Sequence, residues 1–258
     1  MRLGFDLDGT LADMQEALAR VAKDLFPDVD PASLPQSAAA EGDPTSEQPG
    51  DSSSAAAPAP ATRTARQQRA LWKEVRSREN FWETLDEIEP GALGRLFHLV
   101  RDRRWEIIFL TSRPETKGDT AQVQSHRWLV AHGFPSPSIF VVHGSRGKIA
   151  DALDLDVIVD DRPENCLDVA TDSKARAILV WRGDENQIPA SARQLGIGAI
   201  RSIGECLDIL ESVEARDQRD QPGMVARLKR LLGLKPHAPR LGEPAASASA
   251  SDAVKVKT

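Results

Sequence analysis

Two carboxylates two residues apart, Asp6 and Asp8, stand at the end of a short apolar run, Leu3-Gly-Phe-Asp-Leu-Asp-Gly-Thr10. Leu3, Phe5 and Leu7 alternate with small or polar residues, which predicts a strand, and Gly9 predicts the turn that ends it. Side chains two apart on a strand share a face. With the chain turning at Gly9, both carboxylates can converge on one point beyond the strand end. Like charges that close are unfavourable unless a cation lies between them or one carboxylate holds a proton. Either condition suits a metal-assisted nucleophile working beside an acid.

Such a pair needs a sheet to hold it, and the rest of the chain supplies the pattern of one. Residues 12–26 read as a helix, with Met14, Leu18, Val21 and Leu25 at helical spacing and Pro27 as its stop. Residues 31–62 are dominated by Pro, Ala, Ser, Gly and Asp, too poor in apolar surface to offset ordering entropy, and read as a disordered insertion. Helices are expected over 65–79 and 91–102, and Trp105–Thr111 is a nearly continuous apolar run of the kind that forms buried parallel strands. A helix over 119–132, a strand over 139–142, a short helix over 146–153 and a strand over 156–160 follow. Strand 177–181 and helix 203–217 complete an alternation that predicts an α/β doubly wound parallel sheet. Residues 223–232 read as a small basic amphipathic helix and the tail from 236 as disordered.

Every polar cluster falls at a predicted strand end or just after it: Asp6 and Asp8, Thr111 and Ser112, Lys148 on the helix after the third strand, and Asp160 and Asp161. Ligands of doubly wound sheets bind outside those carboxyl ends. Gly144-Ser-Arg-Gly-Lys148 imitates a phosphate-binding loop, but it lacks the glycine spacing and the hydroxyl after the lysine.

Composition excludes some classes. The net charge is −6 over 258 residues and the pI about 5.5, so no global basic signature marks a nucleic-acid binder. Cys166 and Cys206 stand far apart without histidines at metal-ligand spacing, which argues against zinc and fits a reducing compartment. No apolar run reaches membrane-spanning length, and the chain begins directly with the candidate strand, leaving no room for a signal peptide, so a cytoplasmic protein is expected.

Asp6-Leu-Asp-Gly-Thr-Leu11 resembles the first motif of the haloacid dehalogenase (HAD) superfamily, and Thr111, Lys148 and Asp160-Asp161 are similar, in order, to its remaining motifs. The resemblance runs from residue 1 to about 182. It implies a Rossmannoid core of residues 1–11 and 86–217, with a helical cap inserted at 12–85 that contains the 31–62 segment. Residues 218–235 (the basic helix) and 236–258 (the tail) fall outside it. It further implies a phosphohydrolase in which Asp6 is the nucleophile that becomes an aspartyl phosphate and Asp8 is general acid, then general base. Thr111 and Ser112 would bind the phosphoryl group, and Lys148 would neutralise it. Asp6, Asp8 (through its carbonyl), Asp160 and Asp161 would hold Mg²⁺. Plainer readings exist for each: a strand-end turn for Thr111, a solvated side chain for Lys148, a helix cap for Asp160-Asp161.

Two finer resemblances compete over the substrate. Asp8–Asp13, Phe81-Trp-Glu-Thr-Leu85 and Asp160-Asp-Arg-Pro163 look like the cytosolic 5′(3′)-deoxyribonucleotidase branch, which implies a nucleotide with its base stacked on Phe81 and Trp82. The plainer reading is that these aromatics anchor cap to core. Ser112-Arg113-Pro114-Glu115, Arg127-Trp-Leu129 and Trp181 are also similar to polynucleotide 3′-phosphatases, which implies a nucleic-acid end. Arg113 is then a candidate substrate contact, and Arg66, Arg69, Lys73 and Arg76, on one helical face, would track a backbone. A solvated charged face is the plainer reading of those four. A third class is a non-enzymatic magnesium-binding adaptor. The oligomeric state stays open.

Overall fold

Strands form where the sequence alternates or runs apolar, and in the computed structural model, which describes residues 1–27 and 63–217, six of them make one sheet. They are β1 (Arg2–Asp6), β2 (Glu106–Thr111), β3 (Ser138–Val141), β4 (Val157–Asp160), β5 (Arg176–Val180) and β6 (Gly198–Ile200). Their order is β3-β2-β1-β4-β5-β6, and every neighbouring pair is parallel. Parallel pairs need crossovers, for which helices serve. The helices are α1 (Met14–Leu25), α2 (Arg63–Ser77), α3 (Ala92–Arg103), α4 (Ala121–Ala131), α5 (Arg146–Ala152), α6 (Pro163–Asp172) and α7 (Ala190–Gln194), which lie between strands, and α8 (Ile203–Asp217), which follows the last one. The chain therefore has the α/β doubly wound, Rossmann-like architecture that the alternation predicts.

Both faces of the sheet are covered, which is why its strands are apolar at successive positions. Leu3, Phe5, Ile107, Phe109, Val159 and Ile178 enter one apolar cluster with residues of α1, α2, α3, α4 and α8. Leu110, Ile158, Ala177 and Leu179 enter a second, with Ala150 of α5 and Cys166 and Val169 of α6. Leu71, Val75, Phe81 and Trp82, from the stretch expected to form a cap, are buried in the same cluster as Phe5 and Phe109. The 31–62 insertion, the 223–232 helix and the tail lie outside the described residues. No helix among the described residues is long and apolar enough to cross a membrane.

Helix starts follow local chemistry. Asp13, Thr120 and Ser145 each accept a backbone N–H from the first turn of α1, α4 and α5, and Pro163 opens α6, where a missing N–H costs nothing. Two elements go beyond the sequence expectation: α7 and β6, five and three residues long, are too short for a period to register.

What matters for function is the reversal. From β1 the chain winds outward through β2 and β3, then returns to place β4 on the other side of β1. A crevice opens at such a reversal beyond the carboxyl ends. β1 ends in Asp6 and β4 in Asp160, so an acidic side chain flanks that crevice from each side.

Candidate active site

The turn after β1 is tight and strapped. Leu11 and Ala12 N–H both return to the Leu7 carbonyl, at 2.9 and 2.7 Å, and Gly9 N–H bonds the Ala12 carbonyl at 3.0 Å. Gly9 has φ 86°, a left-handed conformation that glycine takes without strain. A Cβ there would also land on the Asp161 carboxylate, so the position demands glycine for two independent reasons. Arg182, beyond β5, donates to the Gly9 carbonyl at 2.6 Å and the Thr10 carbonyl at 3.1 Å, holding the turn from outside.

Asp6, Asp160 and Asp161 form the acidic cluster, one carboxylate oxygen from each lying within 4.8 Å of the others. Asp6 and Asp160 are buried. Asp160 accepts the Arg162 N–H at 2.8 Å, and the Asn165 amide reaches both its oxygens, at 3.1 and 2.9 Å. Burial withholds water from the charged forms. Asp6 is pushed well above the usual carboxylate range by burial first and then by Asp160, against the pull of Arg146. Burial raises Asp160 to about 6, opposed chiefly by Arg146. Burial and then the Asp160 charge raise Asp161 to about 7. Three hard oxygen donors that repel one another in a crevice fit a divalent cation such as Mg²⁺.

Lys148 is exposed and is not brought to this cluster; the cation there is Arg146. Positions two apart on a helix are about 200° apart around its axis. A helix that turns residue 146 inward must therefore turn residue 148 out. Arg146, 3% exposed, donates from Nη2 to Asp6 Oδ1 at 2.8 Å and to Ser112 Oγ at 3.2 Å. Its Nε lies 3.9 Å from Asp160 Oδ2. Its Nη1 is buried and has no hydrogen-bond partner among the described residues. A guanidinium donor left unbonded beside a carboxylate pair is what an incoming tetrahedral anion would satisfy. Gly147 comes next because a Cβ there would collide with the Asp168 carbonyl of α6. That close α5–α6 contact fixes where Arg146 points.

Asp8 is tied elsewhere. Thr111, fully buried, donates its hydroxyl to Asp8 Oδ2 at 2.9 Å, and Arg113 donates to Asp8 from Nε and Nη2 at 2.7–3.0 Å. Thr111 is therefore engaged with Asp8, while the exposed Ser112 faces Arg146. Arg113, expected as a substrate contact, is buried, and each of its three guanidinium nitrogens already has a protein partner, Asp8 or Ser125, unlike Arg146 with its unbonded Nη1.

Phe81 and Trp82 are also out of reach, 3% and 0% exposed. Trp82 Nε1 donates to the Pro114 carbonyl at 2.9 Å and its backbone N–H to Gln124 Oε1 at 3.0 Å. Phe81 meets it edge-on at 5.1 Å. Stacking a base needs an open ring face, and neither residue has one, so the anchoring reading replaces the base-stacking one. Trp82→Ala is expected to cost about 3–5 kcal/mol of stability, as large buried truncations do, measured by chemical denaturation. The ratio of rates on purine and pyrimidine monophosphates should not move. A changed ratio at unaltered stability would restore the stacking role.

Sequence reasoning did not anticipate Arg146, Asn165 or Arg182. Arg146 left a signal: it falls in step with Ile149, Ala150 and Leu153, the inward face of its helix, whereas Lys148 falls between them.

No known family's sequence profile matches the chain, and no curated protein matches it. Solved structures do. A HAD family hydrolase from Deinococcus radiodurans R1 with bound phosphate and sodium is 14% identical, over 92% of this chain and 98% of that one, with a TM-score of 0.49. A hydrolase from Pseudomonas syringae is 12% identical over 83% and 99%, with a TM-score of 0.46. CbbY from Rhodobacter sphaeroides in complex with phosphate is 17% identical over 79% and 95%, with a TM-score of 0.40. Similarity this distant assigns no activity, and the chemistry has to be read from the side chains.

Proposed function

We propose that the protein is a HAD-type, Mg²⁺-dependent phosphomonoesterase working through an aspartyl phosphate on Asp6. The observation that carries this reading is the unbonded Nη1 of buried Arg146 beside Asp6 at the sheet's reversal. Asp6 attacks phosphorus while the bond to the ester oxygen breaks, and Asp8 in its acid form gives its proton to the departing alkoxide. Asp8, now a carboxylate, takes a proton from the water that displaces Asp6 from phosphorus. Inorganic phosphate leaves, and Asp6 carboxylate and Asp8 acid are both regenerated. Arg146 and Ser112 hold phosphoryl oxygens during both displacements. Asp6, Asp160 and Asp161, with the Asp8 carbonyl that the motif resemblance adds, would hold the cation. When bound it supplies positive charge against the phosphoryl oxygens.

The nucleotide reading keeps its motif resemblance but has lost Phe81 and Trp82 as a platform. A 3′-phosphorylated oligonucleotide stays in consideration because Arg66, Arg69, Lys73 and Arg76 are all exposed on α2. The test is phosphate release with Mg²⁺ or EDTA across nucleoside 5′- and 3′-monophosphates, sugar phosphates and that oligonucleotide. Metal-dependent release from any of them supports the phosphomonoesterase, and the preferred ester names the class. Silence across the panel would end the proposal.

Linkage gives a readout of the cation alone. Carboxyls whose folded pKa exceeds the unfolded value keep protons that the unfolded chain has released, so the metal-free protein loses stability as pH rises from about 4 to about 7. A cation that binds the charged cluster offsets that loss. The rise in Tm caused by Mg²⁺ is therefore expected to be larger at pH 8 than at pH 5, by scanning calorimetry. Equal shifts at both would remove the cluster as the ion's seat.

A further inference from the structure

The two adjacent carboxylates after β4 are held very differently. Asp160 accepts three bonds from its own strand–helix unit, one from the Arg162 N–H and two from the Asn165 amide, at 2.8–3.1 Å. Among the described side chains, Asp161 has one donor, the Thr10 hydroxyl, at a long 3.4 Å. Its place is therefore set by what it packs against. Gly9 lies so close to its carboxylate that a Cβ would overlap it, and Thr10 is fully buried beside it.

That turn is in its own way held from a single point. Arg182 donates from Nη1 to the Gly9 carbonyl and from Nη2 to the Thr10 carbonyl, so one guanidinium fixes two successive peptide planes. A glycine, with no Cβ to restrict it, would leave the first of those planes free to rotate. Arg182 Nη2 also reaches Glu89 Oε1 at 3.3 Å. Glu89 is fixed in turn by backbone N–H groups at the start of α8, from Ile203 at 2.7 Å and Gly204 at 2.9 Å.

We infer that Arg182 is a positioning residue for the cation: by fixing the Gly9–Thr10 turn it sets where Asp161 stands, and so how tightly the acidic cluster holds Mg²⁺. The inference rests on the reading of that cluster as the cation's seat. It adds a coupling, because the start of α8 reaches the cluster through Glu89 and Arg182.

Charge alone predicts the opposite sign. Arg182 is near enough to Asp161 to favour its charged form, and a fixed positive charge beside a cation's seat repels the cation. Deleting the guanidinium would tighten Mg²⁺ binding if charge were all it supplied. It weakens binding if the guanidinium holds the turn.

The test is calorimetric titration of the full chain with Mg²⁺ alone at pH 8, above the range in which Asp160 and Asp161 bind protons. Arg182→Met is expected to raise the Kd for Mg²⁺ about tenfold, the lower end of the range for residues that orient metal ligands. Arg182→Lys keeps the charge but not the planar fork, and should raise it about threefold. Arg182→Met combined with Asp161→Asn should bind within about twofold of Asp161→Asn alone. Tighter or unchanged binding by Arg182→Met, no effect of Arg182→Lys, or additive losses in the double variant would each overturn the inference. If Arg182→Met does not fold, Arg182→Lys decides alone, since it moves the turn without moving the charge. Failure of the underlying reading looks different: wild-type protein then binds no Mg²⁺, which ends both.

Discussion

Asp6→Asn is expected to slow phosphate release by at least about 10⁴-fold, the scale on which loss of a nucleophile acts, and to leave the metal-free fold as stable as before or more so. The two halves have one cause. Asp6 is buried against Asp160 and Asp161, and its charged form is held there at a cost that only Arg146 relieves among the described side chains. Asparagine keeps an oxygen to accept the Arg146 N–H and removes the charge. It cannot become an acyl phosphate and be regenerated by water. Thermal denaturation in EDTA at pH 8, beside a phosphate-release assay, reads both. A folded, active Asp6→Asn protein would remove Asp6 as nucleophile, and an inactive one with a collapsed Tm would make Asp6 a structural residue.

Arg146→Met is expected to lower kcat about 10²–10³-fold, the usual loss for one preorganised donor at developing charge. Unlike the Asp6 change, it should also destabilise the protein, by about 3–5 kcal/mol, because a buried ion pair is broken and carboxylates are left without their cation. The destabilisation should grow as pH rises through the range where Asp160 and Asp161 ionise, about 6 and 7, and Mg²⁺ should reverse part of it. Lys148→Ala, two residues on, should change kcat less than twofold. Reversed magnitudes at the two positions would mean that α5 is rotated in the working enzyme.

That pair of positions shows what a sequence can and cannot display. Strands β1, β2, β4 and β5 and the acidic strand ends were legible because burial on both faces forces an apolar run, and the run's end is marked by charge. Arg146 as the cation bonded to Asp6 was not anticipated, because Lys148 fitted the motif by residue type whereas helix phase decides which side chain turns inward. Phase was available in Ala150 and Leu153. Phe81 and Trp82 were ambiguous for a different reason: an aromatic pair has the same composition whether it faces a ligand or a core. Only the tertiary partners, Pro114 and Gln124, tell the two apart. Arg113 was visible as a residue but not as a buried one, since nothing local announces that two tryptophans from distant segments will close over it. α7 and β6 left almost no pattern.

The strand order has one more consequence, in time rather than space. β1 lies at the centre of the sheet, yet its partners are far along the chain: Leu3 pairs with Ile107 on one side and Val157 on the other. At a synthesis rate of roughly 5–20 residues per second, β1 waits about 5–20 seconds for one neighbour and about 8–30 for the other. Throughout that interval Leu3, Phe5 and Leu7 have no sheet to enter. Asp6 is thus made well before the strands that complete its surroundings, and an unpaired apolar strand is the species that a chaperone, or another nascent copy, would meet.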